Sequence, residues 1–157
     1  MMSKIAFYEL SQCILSYHDW MKVDGLWDLL PNYQKNLTNK EHWQIIIDTW
    51  SKSEHNSQVQ NREKWIDILT MRNPIDNFKK NLKDNFKIYR AGSEDGFSWT
   101  LKKEIAIEFQ QRYNNIENPI YISSNHKNVS IVDKKVKYED VKFYNNLRGE
   151  DEIVIIP

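Results

Sequence analysis

The hydrophobic spacing of this chain changes once, near residue 85, and that change limits what it can fold into. Before it, apolar residues recur at helical intervals. Ile5, Tyr8, Leu10, Ile14, Leu15 and Tyr17 have loose helical spacing over residues 4–21, and Trp43, Ile46, Ile47 and Trp50 fall on one helical face. Trp65, Ile68 and Leu69 make a shorter face in REKWIDILTM. Thr38 stands three residues before Glu41, a capping-box pattern that predicts a helix start. In VDGLWDLLPNY, Gly25 predicts a turn, followed by a short helical piece and a stop at Pro31. Beyond residue 85, FKIYRA alternates as a strand does, with Phe86, Ile88 and Arg90 on one side. PIYIS and VSIV read as further strands, and KYEDVKFY as a turn or short helix. TLKKEIAIEFQQRY returns to helical spacing through Leu101, Ile105 and Phe109, with Ala106 as a small contact. The expected class is α+β, in one domain of 157 residues: a helical N-terminal layer over 1–85 and a sheet-bearing core over 86–157.

The totals exclude several function classes. Lys+Arg and Asp+Glu are both 22, so the formal net charge is zero and gives no overall attraction to nucleic acid or to a membrane surface. The single cysteine, Cys13, allows no intrachain disulfide and no cysteine-based zinc site, and is expected as a small buried hydrophobe. His18, His42, His55 and His126 have no ligand spacing, so no metal is expected. No stretch approaches a membrane span and the N-terminus carries no cleavage site, which predicts a reduced, cytoplasmic protein.

The last segment poses the chemical question. Glu150, Asp151 and Glu152 lead into four aliphatic residues, Ile153 to Ile156. Such a run reads as a strand buried on both faces, and charge at the edge of a core is costly unless something uses it. Strand alternation would put Glu150 and Glu152 on one side and Asp151 on the other. Two nearby carboxylates disfavour their joint ionisation, and they suit the stabilisation of developing positive charge and the steering of a proton. Arg90 at a strand end offers a planar fork for phosphate oxygens, and Ala91 and Gly92 after it let a backbone approach a ligand. Ser98 and Thr100 offer hydroxyls to a ribose or a carboxylate, with capping of the next helix as the plain use of Thr100.

YRAG, SWTLKKEIAIEF and EDEIVIIP, in that order, resemble the three signature regions of ADP-ribosyltransferases of the arginine–serine–glutamate class. The likeness spans roughly residues 86–157, and EHWQIIIDTWSKSEHNSQ with WIDIL looks like the helical leader of small phage and bacterial members. It implies a split β-sheet core and NAD+ as substrate, with no metal. By the same likeness, Arg90 matches the arginine that clamps the NAD+ phosphates and ribose. Ala91 and Gly92 match the backbone that bonds the nicotinamide amide. Ser98 and Thr100 match the first and third positions of the Ser-Thr-Ser motif. Glu152 matches the catalytic glutamate, and Glu150 the residue two before it that orients or deprotonates the acceptor.

Glutamate at that position resembles the enzymes that modify arginine side chains. The implied acceptor is therefore a macromolecule, protein arginine ahead of RNA or DNA. The implied setting is a toxin, phage host-modifier or defence effector, with an antitoxin or inhibitor protein among its expected partners. Trp99 departs from the small hydroxyl residue of the motif, and is expected either to stack on a ring of the cofactor or to fill the core. The Arg90–Ser98 segment is short for the family. The target-recognition loop would lie in KYEDVKFYNNLRG, with Phe143 and Tyr144 as the aromatic groups for target contact.

Two rivals remain at this point. In one, the acceptor is nucleic acid, which a cluster of Lys79, Lys80, Lys83 and Lys87 on one side would favour. In the other, the chain is a non-catalytic interaction protein that keeps the fold. The Trp and Ile faces at 43–50 and 65–69 read first as core and second as a docking surface for an inhibitor.

Overall fold

The computed structural model describes residues 2–53, 60–115 and 129–157. The chain forms two compact units, Met1–Phe78 and Lys79–Pro157. Strand character begins at Asn85, where the change is expected, a few residues after the boundary between the units. PIYIS, His55 and His126 lie outside the described residues.

The first unit is helical. Helix α1 (Met2–Ser16) buries Ala6, Leu10 and Ile14, spaced four apart on one stripe. Ile5, Tyr8 and Leu15 stay exposed, and so does Cys13, which is not the buried hydrophobe expected. Helix α2 (Lys22–Tyr33) runs through both Gly25 and Pro31. Gly25 is no turn: a Cβ there would lie 2.8 Å from Tyr17 Cε2, so the bare backbone admits the ring. Pro31 lies inside the last turn of α2, where it lacks the N–H that would bond Trp27 O, and a 3-10 turn over Gln34–Asn36 follows.

Helix α3 (Asn39–Lys52) starts as expected. Glu41 donates its backbone N–H to the Thr38 hydroxyl at 3.2 Å, and the Glu41 carboxylate accepts from the Thr38 N–H at 2.8 Å. Trp43, Ile46, Ile47 and Trp50 on α3 are all buried, as are Trp65, Ile68 and Leu69 on α4 (Arg62–Thr70). Trp50 and Trp65 meet edge to face at 4.8 Å. Those faces are core, not docking surface.

The second unit carries the described strands: β1 (Asn85–Ala91), β2 (Ser98–Thr100), β3 (Ile131–Lys137), β4 (Val141–Asn145) and β5 (Glu152–Ile155). They form one five-stranded antiparallel sheet in the order β3-β1-β2-β5-β4. β1 and β3 pair along seven residues, whereas β1 and β2 meet only at Tyr89 and Thr100. Ile88, Trp99, Val136, Val141, Ile153 and Ile155 make its core. The aliphatic run of β5 is buried through Ile155, as its composition predicts. Helix α5 (Lys103–Asn114) buries Ala106. KYEDVKFY divides into a 3-10 turn at Tyr138–Asp140 and the strand β4. Phe143 is wholly buried on β4, so it belongs to the core and not to a target-facing loop.

Candidate functional site

β1 ends where Gly92 takes a φ of +111°, a conformation that favours glycine. The Gly92 N–H donates to Ser130 O at 2.9 Å, extending the β1–β3 ladder by one residue. In an antiparallel ladder the bonding direction alternates, so Ala91, paired with Ile131, aims its own N–H and C=O at the β2 side. Of the two backbone positions expected near a ligand, Ala91 faces the gap between β1 and β2, while the Gly92 N–H is used within the sheet.

The Arg90 side chain crosses that gap. Nε donates to Ser93 O at 2.9 Å and Nη1 to Ser98 O at 2.6 Å. The loop leaves room for it at Gly96, where a Cβ would sit 2.0 Å from Arg90 Cζ. Burial pulls the Arg90 pKa down, against the opposing pull of Tyr113 and Glu152, yet a guanidinium stays charged in either case. Arg90 is thus a strut between β1 and the start of β2, with much of its fork already engaged.

Ser98 takes part in two directions. Its carbonyl receives Arg90, and its hydroxyl donates to Glu152 Oε1 at 2.5 Å. Of the two uses expected of Trp99, the structure shows the core one. Trp99 is 2% exposed within the apolar cluster, and its indole N–H donates to Gly96 O at 2.7 Å, so it is not a cofactor contact. Thr100 is buried, donates to Glu150 O at 2.7 Å and accepts from the Lys102 N–H at 3.1 Å. Its hydroxyl ties β2 to the acidic turn and is taken up there, not offered to a ribose.

The acidic turn departs from plain strand alternation. β5 begins at Glu152, and Asp151 adopts a left-handed φ of +45°. Asn146 Oδ1 accepts from the Asp151 N–H at 2.9 Å, and Gly149, also left-handed, closes the turn on Asn146 O. Asp151 is 6% exposed, yet its charge is answered. Lys102 Nζ lies 2.6 Å from it and Lys80 Nζ 3.6 Å, and the Tyr144 hydroxyl donates to it. The Lys102 hydrogen bond, then that from Tyr144, holds the Asp151 carboxyl below the usual carboxylate range. Burial, then the bond to Asp151, pushes the Tyr144 phenol up to about 12. The run of acids reaches the core because its middle member is neutralised there.

Glu150 is half-buried, and burial followed by the Glu152 charge raises its pKa, against the pull of Arg148 and Arg112. Glu152 has both oxygens held: Oε1 by Ser98 and Oε2 by Asn145 Nδ2 at 3.1 Å. Asn145 lies directly opposite Glu152 in the β4–β5 register. Sequence reasoning missed it. An asparagine closing a strand before a short loop was the available signal, because the hairpin register sets it against the glutamate. Gly96 was missed too, since nothing local marks it as the seat of a guanidinium.

Three of the four lysines that would favour nucleic acid have other duties, and Lys83 is exposed. Lys79 is buried, donates to Tyr138 O and sits over the Tyr138 ring, Lys80 pairs with Asp151, and Lys87 pairs with Asp133 at 2.9 Å. Among the described residues, no group of three His, Cys, Asp or Glu could hold a metal, and no helix is long and apolar enough to cross a membrane. The comparisons add no identity. No family model, curated protein or solved structure matches this chain.

Proposed function

We propose that the protein is an NAD+-dependent mono-ADP-ribosyltransferase with an ADP-ribosyltransferase-like core, acting on a macromolecular acceptor, protein arginine favoured. One observation carries the reading. Ser98 joins Arg90 to Glu152, its main chain to one and its hydroxyl to the other, across the neighbouring strands β1, β2 and β5. Three sequence-distant motif residues are thereby coupled in one hydrogen-bonded array, beside a strand seam reduced to a single residue pair.

The chemistry follows from the groups present. In the transfer, the bond between ribose C1′ and the nicotinamide nitrogen breaks, and neutral nicotinamide leaves with the electron pair. The acceptor nitrogen then bonds C1′ and loses a proton. Glu152, its two oxygens oriented by Ser98 and Asn145, stabilises the positive charge that develops on the ribose. Glu150, its carboxyl made more basic by burial and by Glu152, takes the acceptor proton. Ala91 offers backbone groups to the nicotinamide amide, and Arg90 keeps the seam in shape and supplies positive charge for the phosphates. The occupied lysines give a nucleic-acid acceptor no support.

Glu152→Gln tests the reading, since it keeps the size of the side chain and one acceptor oxygen while removing the charge. Transfer of label from labelled NAD+ to the protein fraction of a host extract should fall about 10²- to 10³-fold, with an unchanged circular dichroism spectrum. Equal transfer by the variant removes Glu152 from the assigned role. Absence of NAD+ binding and turnover in the unaltered protein leaves the non-catalytic rival in possession.

A further inference from the structure

Helix α1 carries a second apolar stripe that the helical unit does not use. Ile5, Tyr8 and Leu15 are 53%, 65% and 48% exposed, and Gln12 between them is also exposed. Steps of three, four and three residues place these four side chains on one line, the alternating seam of a two-stranded coiled coil. The buried stripe of Ala6, Leu10 and Ile14 lies on the opposite side of the helix, so the body of the helical unit stands behind the seam. An exposed apolar line of this kind marks an interaction surface more often than chance exposure does.

The flanks of the seam identify what fits it. Lys4 and Ser11 border one side, and Glu9 and Ser16 the other. When two copies of such a helix pair in parallel, the flanking residue before one seam position faces the opposite flank of its mate five residues on. Lys4 then meets Glu9 of the second copy, and the two-fold axis repeats the pair. Antiparallel pairing matches each flank with itself, so Lys4 would find no acid. Gln12 adds register, because an amide inside an apolar seam is satisfied best opposite its own copy. We propose that α1 is the seam of a parallel homodimer, in which Ile5, Tyr8, Gln12 and Leu15 meet their symmetry mates and Lys4 pairs with Glu9 across the axis.

The seam is two heptads long, so the dimer is reversible and concentration-dependent. Sedimentation equilibrium on the full chain tests it. The mass should rise with concentration from 18.9 kDa toward about twice that. Ile5→Lys should hold it at the lower value. Lys4→Glu alone, or Glu9→Lys alone, should weaken self-association about tenfold, as each places two like-charged pairs across the axis. An equimolar mixture of those two variants should recover dimer, because their hetero-pair restores both attractions. Four results would overturn the proposal: a monomer at every concentration, a dimer indifferent to Ile5→Lys, a dimer indifferent to the charge variants, or a mixture that fails to recover.

Discussion

In the helical unit, Trp43, Trp50 and Trp65 leave solvent together; Trp43, Lys22 and Ser53 find partners for their buried polar groups, but three atoms among the described residues do not, both ring nitrogens of His42 and the Trp65 indole N–H. In the sheet unit, buried polar groups come with hydrogen bonds or opposite charge. Thr100 has two such contacts, Asp151 has four, and Lys79 has a carbonyl and a ring. Both units are small, so the contrast is not one of size. The helical unit tolerates unsatisfied polar atoms because apolar burial dominates its free energy. The sheet unit holds two buried charged groups, Lys79 and Asp151, at fixed orientations through those contacts.

Four substitutions or titrations would break or sharpen that contrast. The largest effect belongs to Trp65→Ala, which empties an indole-sized space against Trp50 and should cost the helical unit about 3–5 kcal/mol in urea unfolding. A loss below about 1 kcal/mol would show that burial does not hold this unit. Next comes acid. Burial first, and the Arg72 charge second, lower the His42 pKa to about 4 from 6.5. Between those values the unfolded chain takes up a proton that the folded chain refuses. The contribution is therefore complete above about pH 6.5 and is lost as pH falls toward 4, a change of roughly 3 kcal/mol. Unfolding midpoints at pH 7.5 and 4.5 should show most of it, and His42→Leu should flatten the difference.

In the sheet unit, Gly96→Ala pushes a methyl into the seat of the Arg90 guanidinium and breaks two charge-assisted bonds. On the proposed function, the expected loss is about 10- to 100-fold in kcat/KM for NAD+ consumption, with secondary structure intact. Unchanged turnover would mean that the strut is dispensable. The smallest effect is that of Tyr144→Phe, which removes one of the Asp151 partners and should cost about 1 kcal/mol of stability.

The legible parts of this molecule were those set by neighbours in sequence. The Thr38–Glu41 box, the apolar faces of α3 and α4 and the buried strand after Glu152 depend on spacing of a few residues. Gly25 and Pro31 misled because propensity is local, whereas α2 is held by what packs on it, Tyr17 included. At the site, Arg90, Ser98, Glu150 and Glu152 were visible as residue types in order. Asn145 and the duties of Thr100 and Asp151 were not, since they follow from the register of β4 against β5 and from a left-handed turn. Phe143 illustrates the same limit: whether an aromatic faces a core or a target depends on which way its strand is turned.

Asp151 also bears on how an anion could come near this part of the surface. Three successive carboxylates would present a field that turns a pyrophosphate away. With Lys80 and Lys102 closed on the middle one, positive charge stands beside the remaining pair. On the proposed reading, capture of the doubly anionic pyrophosphate of NAD+ by this corner of the sheet should then depend only weakly on ionic strength, because attraction and repulsion are screened together.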